Sequence, residues 1–307
     1  MRREYGRGDP CGRPFEHLGG DKPRPYHIIF FVLFVSFVVP LEAQYTVDVQ
    51  VVDLQVSVTD ENREFVKDLK PEDFLVWEDG VPQDVLDLEL TREPFSIGIL
   101  LDTSFSMRPA FKIMAKGTED FIWSLHPEDE FFLMTFDDKL VLKKDFGFAN
   151  QKSSLKLSEL RYGESTRLFD AILVAEERLK SSHYPRRALF IISDGMNTSG
   201  VGDLTTAIEQ AQKDKIIVYS MMLENSESDI STLRMLSDAT GGSYFVLYEK
   251  YPRLQAAYDK IARDLANRFT LYYHSRSDYT QTRKPEIKLQ MKNPRRRVQF
   301  QKAYFPQ

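Results

Sequence analysis

Between Phe95 and about Asn267 the hydrophobic pattern of the chain switches repeatedly between two periods, which leaves few folds open. Short apolar runs at Phe95–Leu100, Glu130–Phe136, Ala188–Ile192, Ile216–Met221 and Ser243–Val246 have the length of buried strands. Leu140–Leu142 is a candidate neighbour of the second run. Between the runs, Phe111, Met114, Ala115, Thr118, Phe121, Ile122 and Leu125 recur at helical spacing. Leu168, Ile172, Ala175 and Leu179 do the same, as do Leu233, Leu236 and Ala239, which end at a Gly241-Gly242 cap signal. A helix over Arg253–Asn267, with Leu254, Ala257, Tyr258, Ile261 and Leu265 inward, closes the unit. Alternation of this kind predicts an α/β fold: a Rossmann-like, mostly parallel sheet with helices on both faces.

On either side of that unit the period is two. Tyr45, Val47, Val49 and Val51 alternate with polar residues, and the alternation then moves by one to Val52, Leu54, Val56 and Val58. Such a shift exchanges the two faces of a strand and predicts a bulge or bend near Val51–Val52. Pro71-Glu72-Asp73-Phe74 reads as one helical turn, and Leu75–Val85 as a hairpin turned at Asp79-Gly80. Beyond the α/β unit, Phe269, Leu271 and Tyr273, then Ile287, Leu289 and Met291, then Val298 and Phe300 follow the strand period. Each flank alone is short for a stable β domain. The two are therefore expected to pair into a small β-sandwich-like domain with the α/β unit inserted. The resulting organisation is an export segment or anchor (1–43), a β-rich flank (44–93), the α/β domain (94–267) and a β-rich C-terminal flank (268–307).

Composition excludes several classes of function. The 307 residues are 42% hydrophobic and 28% charged, the balance of a folded protein. A net charge of −5 gives no basic footprint, so nucleic acid is not an expected partner. Cys11 is the single cysteine, which rules out an intrachain disulfide framework and a thiolate metal cage. Ile28–Val39 is an almost purely apolar run of roughly a dozen residues, flanked by Lys22 and Arg24 and followed by Ala43. Its length is that of a signal-peptide core and falls short of the ~20 residues that span a bilayer, although Leu41 departs from the small residue usual before a cleavage site. The expected location is outside the cytoplasm: periplasmic, in the cell envelope or secreted. Whether the segment is cleaved or kept as an anchor over residues 28–41 stays open.

Chemistry concentrates where strands end. Asp102-x-Ser104-x-Ser106 follows the apolar run Phe95–Leu100 and presents oxygen donors of the kind that suit a hard cation. An ordinary alternative is helix capping by one of the serines, with Asp102 favouring the helix dipole. Thr166, within Gly163–Ile172, enters a helix from a loop, with Asp170 four residues on. Ser193-Asp194-Gly195 directly follows another apolar strand. Capping and turn formation explain each of these singly. Three oxygen-bearing loops on one edge of a parallel sheet form a pattern typical of a ligand site.

Over about Phe95–Asn267 the sequence resembles a von Willebrand factor type A domain with a metal-ion-dependent adhesion site. The signature of that site is Asp-x-Ser-x-Ser, a distant Thr and a later Asp, and all five positions are filled. The resemblance implies that Ser104, Ser106 and Thr166 ligate the metal, with Asp102 and Asp194 holding it directly or through water. It implies Mg²⁺, with Mn²⁺ or Ca²⁺ as alternatives. Asp170 lies outside the signature and takes a supporting role. The flanking residues Leu69, Glu72, Asp73, Phe74, Val76, Glu78, Asp79 and Gly80 resemble a bacterial group of secreted proteins that carry this domain.

The function expected from this reading is non-enzymatic. A cation held largely by neutral hydroxyls keeps much of its charge, and an Asp or Glu carboxylate of a protein partner can take one of its positions. An envelope protein whose domain scaffolds assembly without metal is the alternative. Catalysis is disfavoured: no Gly-x-Ser-x-Gly elbow or phosphate loop is present, and Ser104 stands where an aspartyl-phosphate site would want a second Asp. His17, His27, His126, His183 and His274 show no metal-ligand spacing. Membrane contact is expected only through the N-terminal segment.

Overall fold

In the computed structural model the described residues are 50–90, 93–150, 155, 157, 162–223, 228–247, 254–276 and 284–304. All of them belong to one unit, Asp48–Gln307. The export segment over 1–43, its apolar run and Cys11 lie outside the described residues. Among the described residues no helix is long and apolar enough to cross a membrane.

The described residues begin with four strands, β1 (Val51–Thr59), β2 (Phe74–Glu78), β3 (Val81–Gln83) and β4 (Val85–Leu90). Alternation buries Val52, Leu54, Val56 and Val58 on one face of β1. Asp79 and Gly80 turn the β2–β3 hairpin with φ of 46° and 80°. Two successive left-handed residues give the turn whose twist matches paired strands.

The α/β unit follows as β5 (Ser96–Asp102), α1 (Phe111–Ser124), β6 (Glu130–Phe136), β7 (Leu140–Phe148), α2 (Leu168–Lys180), β8 (Arg187–Ser193), α3 (Leu204–Lys213), β9 (Ile216–Leu223), α4 (Ile230–Thr240), β10 (Tyr244–Leu247) and α5 (Leu254–Ala266). Its six-stranded sheet has the order β10-β9-β8-β5-β6-β7, parallel throughout except for the edge strand β7. β5 and β6 are buried along their whole length, as expected of strands covered on both faces. One core layer joins the sheet to α1 and α5 through residues such as Phe111, Phe121, Tyr258 and Ile261. The other joins it to α2, α3 and α4 through Leu168, Ile172, Ala207, Ala211 and Leu233.

Helix α3 is not among the expected helices, although Leu204, Ala207, Ile208 and Ala211 recur at helical spacing and pack against the core. Its local signal is Asp203, whose carboxylate accepts from the Thr206 N–H at 3.0 Å and caps the helix.

The last strands are β11 (Phe269–His274), β12 (Ile287–Met291) and β13 (Arg297–Phe300). They build two small sheets with the first four: β13-β1-β11-β4 and β12-β2-β3. Val52, Leu54 and Val56 lie opposite Tyr273, Leu271 and Phe269 in the antiparallel β1–β11 ladder. Their side chains share a core with Phe74, Val76, Ile287 and Leu289 from the other sheet. Buried Glu78 ties the two sheets, accepting from Tyr273 Oη at 2.9 Å, Ser275 Oγ at 2.8 Å and Tyr304 Oη at 3.2 Å.

The bulge expected near Val51–Val52 is absent from this ladder, whose register is unbroken from Val51 to Val56. Val51 is half exposed at the start of the strand and the buried face begins at Val52, while Tyr45, Val47 and Val49, which carry the other phase, lie outside the described residues. The irregularity of this sheet falls instead between Tyr272 and Tyr273, where β11 meets β4.

Candidate metal centre

Strand order fixes where a ligand site can form. From β5 the chain moves to β6 and β7 on one side, then returns to build β8, β9 and β10 on the other. β5 and β8 are parallel neighbours at this reversal, with Leu101 opposite Ile192. Connections leaving their carboxyl ends must diverge, which opens a crevice there. Asp102 ends β5, and Asp194 follows the last residue of β8.

Both carboxylates have no solvent exposure. Asp102 Oδ1 accepts from the Ser104 N–H at 2.8 Å, and its Oδ2 accepts from Ser193 Oγ at 2.6 Å. Burial pushes the Asp102 carboxyl up to about 7 despite these bonds, and the charge of Asp194 raises it further. Ser104 is buried, Ser106 is half buried, and their hydroxyl oxygens lie 3.1 Å apart. Neither hydroxyl caps a helix. The single turn Phe105–Met107 starts at Ser104 without a side-chain cap, and α1 starts at Ala110 without one.

The Thr166 loop reaches the same edge through backbone contacts. Gly163 bridges to Ser104, and its N–H donates to the Thr103 carbonyl at 3.1 Å. Thr166 is 3% exposed, and α2 begins after it with Arg167 in the capping position and no capping side chain. Its N–H donates to Thr198 Oγ1 at 2.8 Å, while its carbonyl accepts from the N–H groups of Thr198 and Ser199. Phe169 N–H donates to Asn197 Oδ1 at 3.3 Å. The loop after Thr166 is therefore stitched to the loop after Asp194.

Asp170 strengthens that seam. Its Oδ1 accepts from the N–H groups of Gly202 at 2.7 Å and Val201 at 3.1 Å, and Oδ2 pairs with Arg167 Nη2 at 2.6 Å. Burial would raise the Asp170 carboxyl, but these donors outweigh it and hold the group below its ordinary range. Asp194 Oδ1 accepts from the Met196 N–H at 3.1 Å, and its carbonyl accepts from Asp229 N–H at 3.0 Å. Gly195 adopts φ 84°, and a Cβ there would lie 2.2 Å from the Asp229 carbonyl oxygen, so both backbone and space demand glycine.

Asp102, Ser104 and Ser106 are thus in direct contact, Asp194 is near enough to act on Asp102, and Thr166 is bound to the strand-end loop that carries Asp194. Sequence reasoning missed several supporting groups. Ser193 orients Asp102, Asp137 accepts from Thr103 Oγ1 at 2.8 Å, and Asn197 and Thr198 hold the Thr166 loop. Only Ser193 carried a signal, as the neighbour of Asp194.

Among the described residues no three His, Cys, Asp or Glu side chains form a metal-holding group. The donors here are instead two carboxylates with three hydroxyls. That set fits a hard divalent cation. Asp102 is buried beside a second buried carboxylate whose charge raises its proton affinity, so a compensating positive charge fits there, and hydroxyls that cap no helix supply neutral ligands.

Residues 97–197 match the family model of the von Willebrand factor type A domain. No curated protein matches the chain. Among solved structures it is similar to the von Willebrand factor type A protein from Catenulispora acidiphila, at 11% identity and a TM-score of 0.50, over 84% of this chain and 74% of that one. It is also similar to proximal thread matrix protein 1 from the mussel byssus, at 12% identity and a TM-score of 0.50, over 60% of this chain and 49% of that one. The mussel protein has also been solved with a zinc-occupied MIDAS motif. A third similar structure is BatB from Bacteroides thetaiotaomicron, at 16% identity and a TM-score of 0.46, over 55% of this chain and 98% of that one. At these identities the likeness is one of fold.

Proposed function

This chain carries a von Willebrand factor type A domain, and we propose that the domain is a non-enzymatic, extracytoplasmic binding module. It holds a Mg²⁺-type cation on Asp102, Ser104, Ser106, Thr166 and Asp194 and offers that cation to a carboxylate of a protein partner. One observation carries the reading. Two fully buried carboxylates end neighbouring strands beside hydroxyls that cap no helix. The zinc-occupied motif of the mussel byssus protein, which shares the fold, supports a metal in this class of site.

When bound, the metal supplies a positive charge that a partner's carboxylate can satisfy. The chain's own residues determine how much of that charge survives. Serine and threonine hydroxyls are neutral donors, and Ser193 and the Ser104 N–H draw on the charge of Asp102 before any cation does. The non-enzymatic reading rests on the lack of a nucleophile–base set with a Gly-x-Ser-x-Gly elbow or a phosphate loop in the sequence. Export is supported by the apolar run Ile28–Val39 ahead of the domain. We assign 44–93 and 268–307 to the flanking β domain and 94–267 to the metal-binding one.

Titration with Mg²⁺ and Mn²⁺, read as thermal stability, tests the reading. The wild-type protein is expected to gain stability with metal, while Asp102→Ala and Ser104→Ala lose most of that gain. No gain in the wild type, or an equal gain in the variants, would sink it.

A further inference from the structure

Large apolar side chains exposed to solvent are scattered over this molecule, but the two most exposed among the described residues belong to loops that also carry candidate metal ligands. Val201 is 96% exposed and Phe105 is 62% exposed. Phe105 stands between the two serines of the Asp102–Ser106 loop. Val201 belongs to the loop that carries Asp194, where Asp170 fixes its backbone N–H. Exposure of this degree does nothing for the fold, since neither side chain joins a core.

Val201 also borders an open groove of about 580 Å³, lined on its apolar side by Leu140, Leu173 and Val174. Val174 is itself 46% exposed. Arg108 lies 5.7 Å from the centre of the Phe105 ring, and the groove is also lined by two ion pairs, Lys139–Asp138 and Arg167–Asp170.

Resting on the metal-binding reading, we infer that the partner presents its carboxylate with apolar side chains beside it in sequence, which Phe105 and Val201 receive. A carboxylate answers the cation and Arg108, and apolar neighbours cover the two exposed side chains. Contacts of that kind, at the centre of an interface, carry most of its affinity. A lipid surface is the less suitable occupant, because the loops that carry the two apolar side chains also carry hydroxyls and carboxylates, and the groove beside Val201 is lined by charged as well as apolar groups.

The test pans the full chain with a random peptide library displayed on phage, in Mg²⁺ and in EDTA. Peptides recovered only with Mg²⁺ are expected to carry Asp or Glu with Leu, Ile, Val, Met or Phe within two positions. Phe105→Ser and Val201→Ser are each expected to lower capture of those peptides roughly tenfold while keeping the Mg²⁺-dependent thermal shift. Acidic peptides without apolar neighbours, equal capture by both variants, or a preserved thermal shift with no peptide recovered would each overturn the inference and leave the metal site standing. Absence of any Mg²⁺-dependent shift or capture overturns both. Binding to phosphatidylcholine–phosphatidylglycerol vesicles that survives EDTA but is abolished by the two variants would assign the face to a membrane and overturn the peptide reading.

Discussion

At the scale of single residues, the clearest departure from ordinary protein chemistry outside the metal centre is Glu176. It lies on α2 with no solvent exposure, and neither carboxylate oxygen has a hydrogen-bond partner. Burial pushes its carboxyl up to about 9, with the charge of Asp214 adding to the effect and Lys180 opposing it. The folded state therefore holds this proton at a pH where the unfolded chain, with its ordinary value of 4.5, has lost it. Between those two values the native state binds more protons, so stability falls as pH rises. Below 4.5 there is no penalty, and above about 9 it is complete. Glu176→Gln carries no such dependence. The stability of the variant relative to wild type is expected to grow by on the order of 3 kcal/mol between pH 5 and pH 8. Denaturant unfolding of both proteins at the two pH values measures it, and a constant difference would show that Glu176 is ionised in the fold. No sequence pattern foretells this residue, because its position on the inner side of α2 is all that distinguishes it from its exposed neighbour Glu177. The donors of the metal centre differ in this respect. Asp102, Ser104, Ser106 and Asp194 are legible because strand periodicity says where each strand ends, and the residue types found there are chemically distinctive.

At the scale of elements, the α/β alternation was readable wherever an element buried a wide apolar stripe. Helix α3 carries such spacing at Leu204, Ala207, Ile208 and Ala211, but two of these four are alanines and the stripe is narrow. The seam between the loops after Thr166 and Asp194 was hidden, since its contacts join residues about thirty positions apart through backbone groups. That seam makes a prediction about α2, whose first turn carries Asp170. Removing the carboxylate frees the Val201 and Gly202 N–H groups and Arg167 together, so the Asp194 loop keeps its ties to Thr166 and Phe169 but loses the one at the first turn of α2. Asp170→Ala is expected to weaken apparent Mg²⁺ affinity by about tenfold, the usual consequence of losing a group that orients metal ligands. Asp170→Asn keeps an oxygen that can accept from the two N–H groups, and should recover part of the affinity. Metal titrations of the three proteins, set beside their stabilities without metal, separate positioning from simple loss of fold. An unchanged Mg²⁺ midpoint in Asp170→Ala would show that the seam does not govern the site.

At the scale of the whole molecule, the question is how the flanking sheets and the α/β unit come to act as one body. Their strands belong to different sheets, so no backbone ladder makes the connection. Fully buried Arg268, in the link between α5 and β11, is one group that reaches both parts, along with the bridge between Thr240 and Gln301. Its guanidinium donates to Asp264 of α5 at 2.7 Å, Tyr219 Oη of β9 at 3.0 Å, the Gly241 carbonyl after α4 at 2.7 Å and the Gln55 carbonyl of β1 at 3.4 Å. Tyr219 Oη also donates to Asp264, and the negative charge of Asp264 opposes the effect of burial on the Arg268 guanidinium. Removing one member of a buried pair leaves the other charge uncompensated, which typically costs about 3–5 kcal/mol. In Arg268→Leu that cost falls on the α/β side, at Asp264, while the sandwich loses only one weak bond at Gln55. The two parts should then cease to unfold together. The chain contains two tryptophans, Trp77 in β2 and Trp123 in α1, one in each part. Single-tryptophan proteins made with Trp77→Phe or Trp123→Phe therefore report each part separately. With Arg268 present, both fluorescence transitions are expected at the same denaturant concentration, the mark of a single cooperative unit. With Arg268→Leu, the Trp123 transition should move to lower denaturant than the Trp77 transition. Coincident transitions in the variant would show that the coupling is carried elsewhere, with the bridge between Thr240 and Gln301 and the Lys215–Asp53 ion pair at 2.5 Å as its next candidates.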